Sequence, residues 1–210
     1  MTPETRATPQ GEERRQDILS HAINVFGEAG YAGARIDEVA RRVGIRRPSV
    51  LYHFPEKRSL YAAAIRNVVE DIVGRVVATE SEPRDRLEAI ADTWIDFVIA
   101  RPNAARVLLR QMIDADPIAT ESVLKSVQTL LSSIQVAIEE RLGSDGPKTI
   151  DATEFALVLS STSLVWVASQ TAIEGAFGLD TLSGPSIQRH RRTLHALIKQ
   201  LLDATSEAVQ

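Results

Sequence analysis

No cysteine occurs among the 210 residues. That excludes disulfide frameworks, thiolate metal sites and cysteine nucleophiles together, and it fits a reducing compartment, so a cytoplasmic location is expected. The chain also lacks a glycine-rich phosphate loop, a serine nucleophile elbow and the histidine–carboxylate pattern of zinc enzymes. Its four histidines, His21, His53, His190 and His195, do not stand at ligand spacing from one another. No catalytic residue, metal site or cofactor is therefore expected, and the chain does not read as an enzyme. Long apolar runs are missing too. The nineteen residues Phe155 to Ile173 carry no charge, but seven are Ser, Thr or Gln, too polar for a membrane-spanning helix. Met1 to Arg15 is polar, and is expected to be a frayed arm rather than a secretory signal.

What is present is ordinary globular material, 44% hydrophobic and 25% charged, enough to build a core. Sustained period-two alternation is absent and three-and-four spacing is common, which predicts an all-α fold of about nine helices. Ile18, Leu19, Ala22, Val25 and Phe26 form one stripe over Glu13–Ala29, stopped by Gly30. Two short helices follow, near 36–43 and 48–53, then a longer one from Pro55 to about Thr79. Further helices are predicted to open at Ser81-Glu82-Pro83, Asn103 and Asp116-Pro117, this last closed by Gly143. The uncharged segment is read as one helix over 151–174, after a loop at Gly143–Pro147. Ser183-Gly184-Pro185 opens the last, running to about Leu202.

Net charge is −4, with 24 Lys+Arg against 28 Asp+Glu, which taken whole disfavours a nucleic-acid partner. The balance is uneven. Residues 1–66 hold 11 Lys+Arg and 8 Asp+Glu, a balance of +3, while the rest hold 13 and 20, a balance of −7. Arg35, Arg41, Arg42, Arg46, Arg47, Lys57 and Arg58 crowd into twenty-four residues, the footprint a polyanion requires.

The spacing within that cluster is more specific. Val39, Ala40 and Val43 face inward on a two-turn helix, and Gly44 is placed to end it in the left-handed conformation that favours glycine. Ile45 anchors the turn, Pro48 pre-sets the next helix, and Val50, Leu51 and Phe54 supply its buried side. A small residue at Ala40 lets two helices cross closely, which completes a helix-turn-helix layout over about 35–54. The second helix would present Arg46, Arg47, Ser49, Tyr52 and His53 to a major groove. Arg41 and Arg42 read as solvent-facing or phosphate-steering charges, and Arg35 as a phosphate contact or a partner for Glu38.

The run Gly44-Ile45-Arg46-Arg47-Pro48-Ser49-Val50-Leu51-Tyr52-His53-Phe54-Pro55-Glu56-Lys57, following the helix Gln16–Gly30, resembles the N-terminal domain of the tetracycline-repressor (TetR-type) transcriptional regulators. The resemblance covers about Glu12 to Ile72. It implies an all-helical homodimer with a three-helix DNA-binding head and a helical body that senses small molecules. It places Arg46 and Arg47 at bases, Ser49 at the backbone, His53 and Phe54 on the family's His/Tyr–Phe pair, and Lys57 on a phosphate. Leu51 stands where the family usually has tyrosine, and Tyr52 takes the following, more variable position.

The organisation expected is thus an arm over 1–11, a DNA-binding domain over 12–72, and an effector-binding and dimerisation domain over 73–210. Trp94, Phe97, Arg110, Met112 and Trp166 are the candidate effector contacts, with Gln111 beside them, although plain core packing is the better reading of Trp94, Phe97, Met112 and Trp166 taken one by one. Helices 151–174 and 185–203 suit a subunit interface. The expected partners are double-stranded operator DNA, a second copy of the chain and a small-molecule effector. The other reading left open is a helical adaptor that uses its basic head on acidic proteins.

Overall fold

The computed structural model describes residues 9–113, 121–142 and 151–207. Its elements are α1 (Pro9–Gly33), α2 (Ile36–Val43), α3 (Arg47–His53), α4 (Lys57–Val77), α5 (Arg86–Ala100), α6 (Pro102–Ile113), α7 (Glu121–Leu142), α8 (Ala152–Ala168), α9 (Gln170–Phe177) and α10 (Gly184–Glu207). A 3-10 turn at Pro83–Asp85 leads into α5. The fold is all-α, as expected from the sequence. The helix start at Asp116-Pro117, the loop at Gly143–Pro147 and residues 1–8 of the arm lie outside the described residues; from Pro9 onward the expected arm is corrected, because α1 has already begun there.

Two punctuation marks act as their chemistry dictates. Gly30 adopts φ 69° and breaks the helical path of α1. Gly44, at φ 75° and ψ 29°, closes α2, with its N–H bonded to Arg41 O and the N–H of Ile45 reaching Ala40 O at 2.9 Å. That pair of bonds satisfies carbonyls the helix end leaves without partners.

One expectation is corrected. The segment 151–174 is not one helix but two, α8 and α9, bent by 71° at Ser169. Trp166 explains the break in part, because its indole N–H donates to Thr181 O at 3.0 Å and Gln170 Nε2 donates to Asp180 Oδ1 at 3.2 Å. The chain must turn back for those bonds to form, and residue spacing gives no sign of it. Among the described residues no single helix is long and apolar enough to cross a membrane.

The buried side chains divide into two cores. The head core gathers Ile18, Leu19, Ala22, Val25 and Phe26 of α1, Val39 and Ala40 of α2, Val50 of α3 and Leu60 to Ile65 of α4, with Phe54. The body core takes over at Val68 and runs through Ile72 and Val76 to residues of α5–α8 and α10. Two helices serve both. α4 gives its first half to the head and its second to the body, and α6 gives Val107 to the head while Ala104 and Ala105 pack in the body.

Between α1 and α6 the approach is very close. A Cβ built on Gly27 would stand 2.6 Å from Cβ and O of Asn103. Asn103 Nδ2 donates to Asn24 Oδ1 at 3.1 Å, and Arg110 Nη1 donates to the carbonyls of Phe26 and Gly27 at 2.8 and 3.0 Å. A guanidinium at those last-turn carbonyls also meets the negative end of the helix dipole.

Candidate nucleic-acid interface

α3 is seven residues long and is held by one face. Val50 is completely buried and Phe54 nearly so, while Arg46, Arg47, Ser49 and Tyr52 are exposed. Tyr52 is 85% exposed and meets the half-buried His53 ring edge-on at 5.3 Å. An aromatic this exposed contributes almost nothing to the core, so its surface is free for a partner.

The starts of α2 and α4 close around α3 to form a cleft of about 500 Å³. Arg35, Arg47 and Lys57 line it with Asp37 and Glu56, and Leu51 forms part of its wall. Residues separated by more than twenty positions thus share one basic recess. Lys57 is positioned from behind, because Nζ donates to Ala32 O at 3.1 Å and lies 4.8 Å from the centre of the Tyr31 ring. Tyr31 in turn packs on Tyr61, centroid to centroid 5.0 Å, and Tyr61 on Phe26 at 4.7 Å. The lysine is therefore braced on the aromatic part of the head core. Arg47 Nη1 rests 3.5 Å from Asp37 Oδ2, a loose exposed pair contributing little.

Two other cations of the cluster, Arg41 and Arg42, are committed elsewhere. Arg42 forks onto both oxygens of Glu28 at 2.9 and 2.6 Å and gives Nε to Glu38 Oε1 at 2.8 Å. Arg41 holds Glu38 through two bonds of 2.9 and 2.7 Å. Glu38 is occupied, so the possible pair with Arg35 does not form. Bonds from Arg41 and then Arg42 hold the Glu38 carboxyl down at about 2, and Arg42 itself is raised by Glu28 and then Glu38. The pairs at three- and four-residue spacing are legible in sequence, whereas Glu28–Arg42 exists only because α1 and α2 pack together.

That network carries a pH signature. A carboxyl whose folded value lies below its usual 4.5 stabilises the fold above that range, and the contribution is lost as pH falls toward 2. Melting curves between pH 5 and 2 should fall more steeply for the native chain than for Glu38→Gln. Parallel slopes would show that the network adds nothing to stability.

The candidate effector contacts do not converge. Trp94 and Phe97 are buried in the body core with rings 6.4 Å apart. Trp166 is only partly buried at the edge of that core, stacked on His190 at 4.6 Å. Burial lowers the pKa of His190. Met112 is 49% exposed, and Arg110 points into the head rather than the body. Spacing along α6 could not reveal that orientation, because it depends on where α1 packs. His195 bonds Asp92 at 2.9 Å and His21 lies 3.7 Å from Asp17. No group of three or more metal-ligating side chains occurs among the described residues.

A three-helix head of this geometry, with α3 exposed and a basic cleft beside it, defines a helix-turn-helix DNA-binding protein. The sequence model of the bacterial regulatory proteins of the tetR family matches residues 18–64, so the head is similar to that of the TetR-type transcriptional regulators. It is 30% identical over 131 residues to the transcriptional activator FasR of Mycolicibacterium smegmatis, covering 58% of this chain and 60% of that one. With the transcriptional regulator RutR of Escherichia coli K12 it shares 20% identity over 83% of its own length and 81% of the relative's. The fold is similar to that of SCO4942 of Streptomyces coelicolor, with a TM-score of 0.67 at 23% identity over 90% of this chain and 97% of that one.

Proposed function

We propose that the chain is a ligand-responsive repressor that binds a near-palindromic operator as a homodimer. The observation that carries this reading is the exposed face of α3 set over the cleft of Arg35, Arg47 and Lys57. Lys57 and Arg35 take phosphates of the backbone, Arg46 and Arg47 read bases, and Ser49, Tyr52 and His53 complete the surface. A two-fold dimer presents two such helices to successive major grooves.

The dimer face is the outer side of α8 and α10, where Leu157, Val158, Val165, Leu197 and Leu201 are all close to half exposed. Apolar patches of this kind are how a protein marks a subunit contact. The effector is placed in the body beside Trp94, whose indole N–H is buried with no acceptor among the described residues. A ligand carbonyl or carboxylate would satisfy it, while Phe97 and its apolar neighbours hold the remainder. Arg110 and Met112 lie outside that arrangement, and Trp166 stands apart from it. Because α6 is shared between the two cores, an effector that displaces α6 moves the head with it.

Fluorescence anisotropy with DNA from upstream of its own gene tests the reading. Binding should be saturable at two chains per site and should weaken steeply with added salt. A promoter fusion should be silenced by the chain and released by effector. Activation instead, as the name of FasR describes for that relative, would reverse the sign. A sequence-blind, salt-insensitive interaction would favour an adaptor.

A further inference from the structure

α9 is an isolated feature. It leaves α8 at 71°, buries none of its eight residues, and ends on Phe177, which is 79% exposed. At the opposite end of α8 a groove of about 150 Å³ lies between α8 and α10, lined by Phe155, Val158, Leu159, Leu194, Leu197 and Ile198 among others, with Glu154 at the rim. An apolar cavity of about 150 Å³ is the size that accepts a benzene ring. Knob and hole cannot meet within one chain, because the stretch of α8 from Leu159 to the bend at Ser169, at about 1.5 Å per residue, holds them roughly 15 Å or more apart.

Symmetry brings them together. A two-fold axis through the exposed small residues Ser161 and Thr162, midway along α8, runs two copies of that helix antiparallel. Residues 154–159 of one copy then face the bend at Ser169 of the other, and α9 emerges from that bend. We propose that Phe177 of each chain plugs the α8–α10 groove of a second copy, making α9 a reciprocal clasp of the dimer. The inference rests on the homodimer reading above. Area supports it: the six exposed apolar side chains Leu157, Val158, Val165, Phe177, Leu197 and Leu201 supply roughly 600 Å², most of the ~800 Å² per partner of a stable interface, and Phe177 is the largest share.

The absence of native cysteine makes the contact directly testable. Phe177→Cys and Val158→Cys are prepared as separate variants, mixed and oxidised with copper phenanthroline. A disulfide-linked pair is expected from the mixture, because a ring seated in the groove keeps residue 177 beside the exposed Val158, where the two cysteines meet as the chains fluctuate. A mixture of Phe177→Cys with Val77→Cys, on the outer side of α4, should give none. Phe177→Ala should raise the dimer dissociation constant about 30-fold or more, as for a buried aromatic anchor. A chain that sediments as a dimer yet forms no 177–158 link overturns the clasp alone. A chain that sediments as a monomer overturns the dimer reading, and the clasp with it.

Discussion

Gly27→Ala is expected to destabilise the protein by about 1–3 kcal/mol, the cost of forcing extra volume into a closely packed contact. The direction is informative, because alanine is ordinarily favoured over glycine inside a helix by up to about 1 kcal/mol. Here the new methyl would meet Asn103 Cβ and O at 2.6 Å and Cα at 2.7 Å. Two of those atoms belong to the backbone, so no rotamer change relieves the clash and α1 must move away from α6. Movement stretches the Asn24–Asn103 bond and the two bonds from Arg110, and it draws Val107 out of the head core. Gly74→Ala is the matched control. It sits in α4 with nothing within 4 Å of the added atom, and should stabilise by about 0.5–1 kcal/mol. Thermal unfolding of the two variants should therefore shift in opposite directions. A common direction would mean that the head and body are joined far more loosely than this contact implies.

Arg47→Ala and Lys57→Ala should both weaken operator binding, but in different ways. Loss of a base-reading arginine should cost about 1–3 kcal/mol on the cognate site and relax preference at the base pair it reads. Loss of Lys57 should weaken every sequence alike and reduce the salt slope by about one. The geometry supports the distinction. Arg47 is held only by a loose exposed pair with Asp37, so it can swing toward a groove. Lys57 is fixed against Ala32 O and the Tyr31 ring, as suits a residue that meets a phosphate at a constant position. Anisotropy titrations on cognate and scrambled duplexes at three salt concentrations separate the cases. A uniform loss for Arg47→Ala would move that residue to the backbone contacts.

The head was the most legible part of the molecule because its signals are local. Gly44, Ile45, Pro48 and Val50 each do a job set by backbone geometry or by one turn of helix, and each does it within a few residues of its neighbours. The charge cluster was legible in number but not in availability. Seven cations in a short stretch suggested a broad basic face, yet Arg41 and Arg42 are held by Glu28 and Glu38. The cations that line the cleft are Arg35, Arg47 and Lys57.

The body was legible only as helices. Its apolar periodicity shows which residues turn inward, but not against what, because many helix arrangements bury the same stripes. Arg110 and Met112 stand two residues apart on α6, yet one grips α1 and the other faces solvent.

By itself, then, the sequence determined the all-α class and the helix-turn-helix, because those follow from spacing within one or two turns of chain. Tertiary structure alone decided that Gly27 seats α1 against Asn103 of α6, that α8 breaks at Ser169, and that α6 belongs to both cores. Each of those facts depends on a residue ten or more positions away, and only packing makes such residues neighbours.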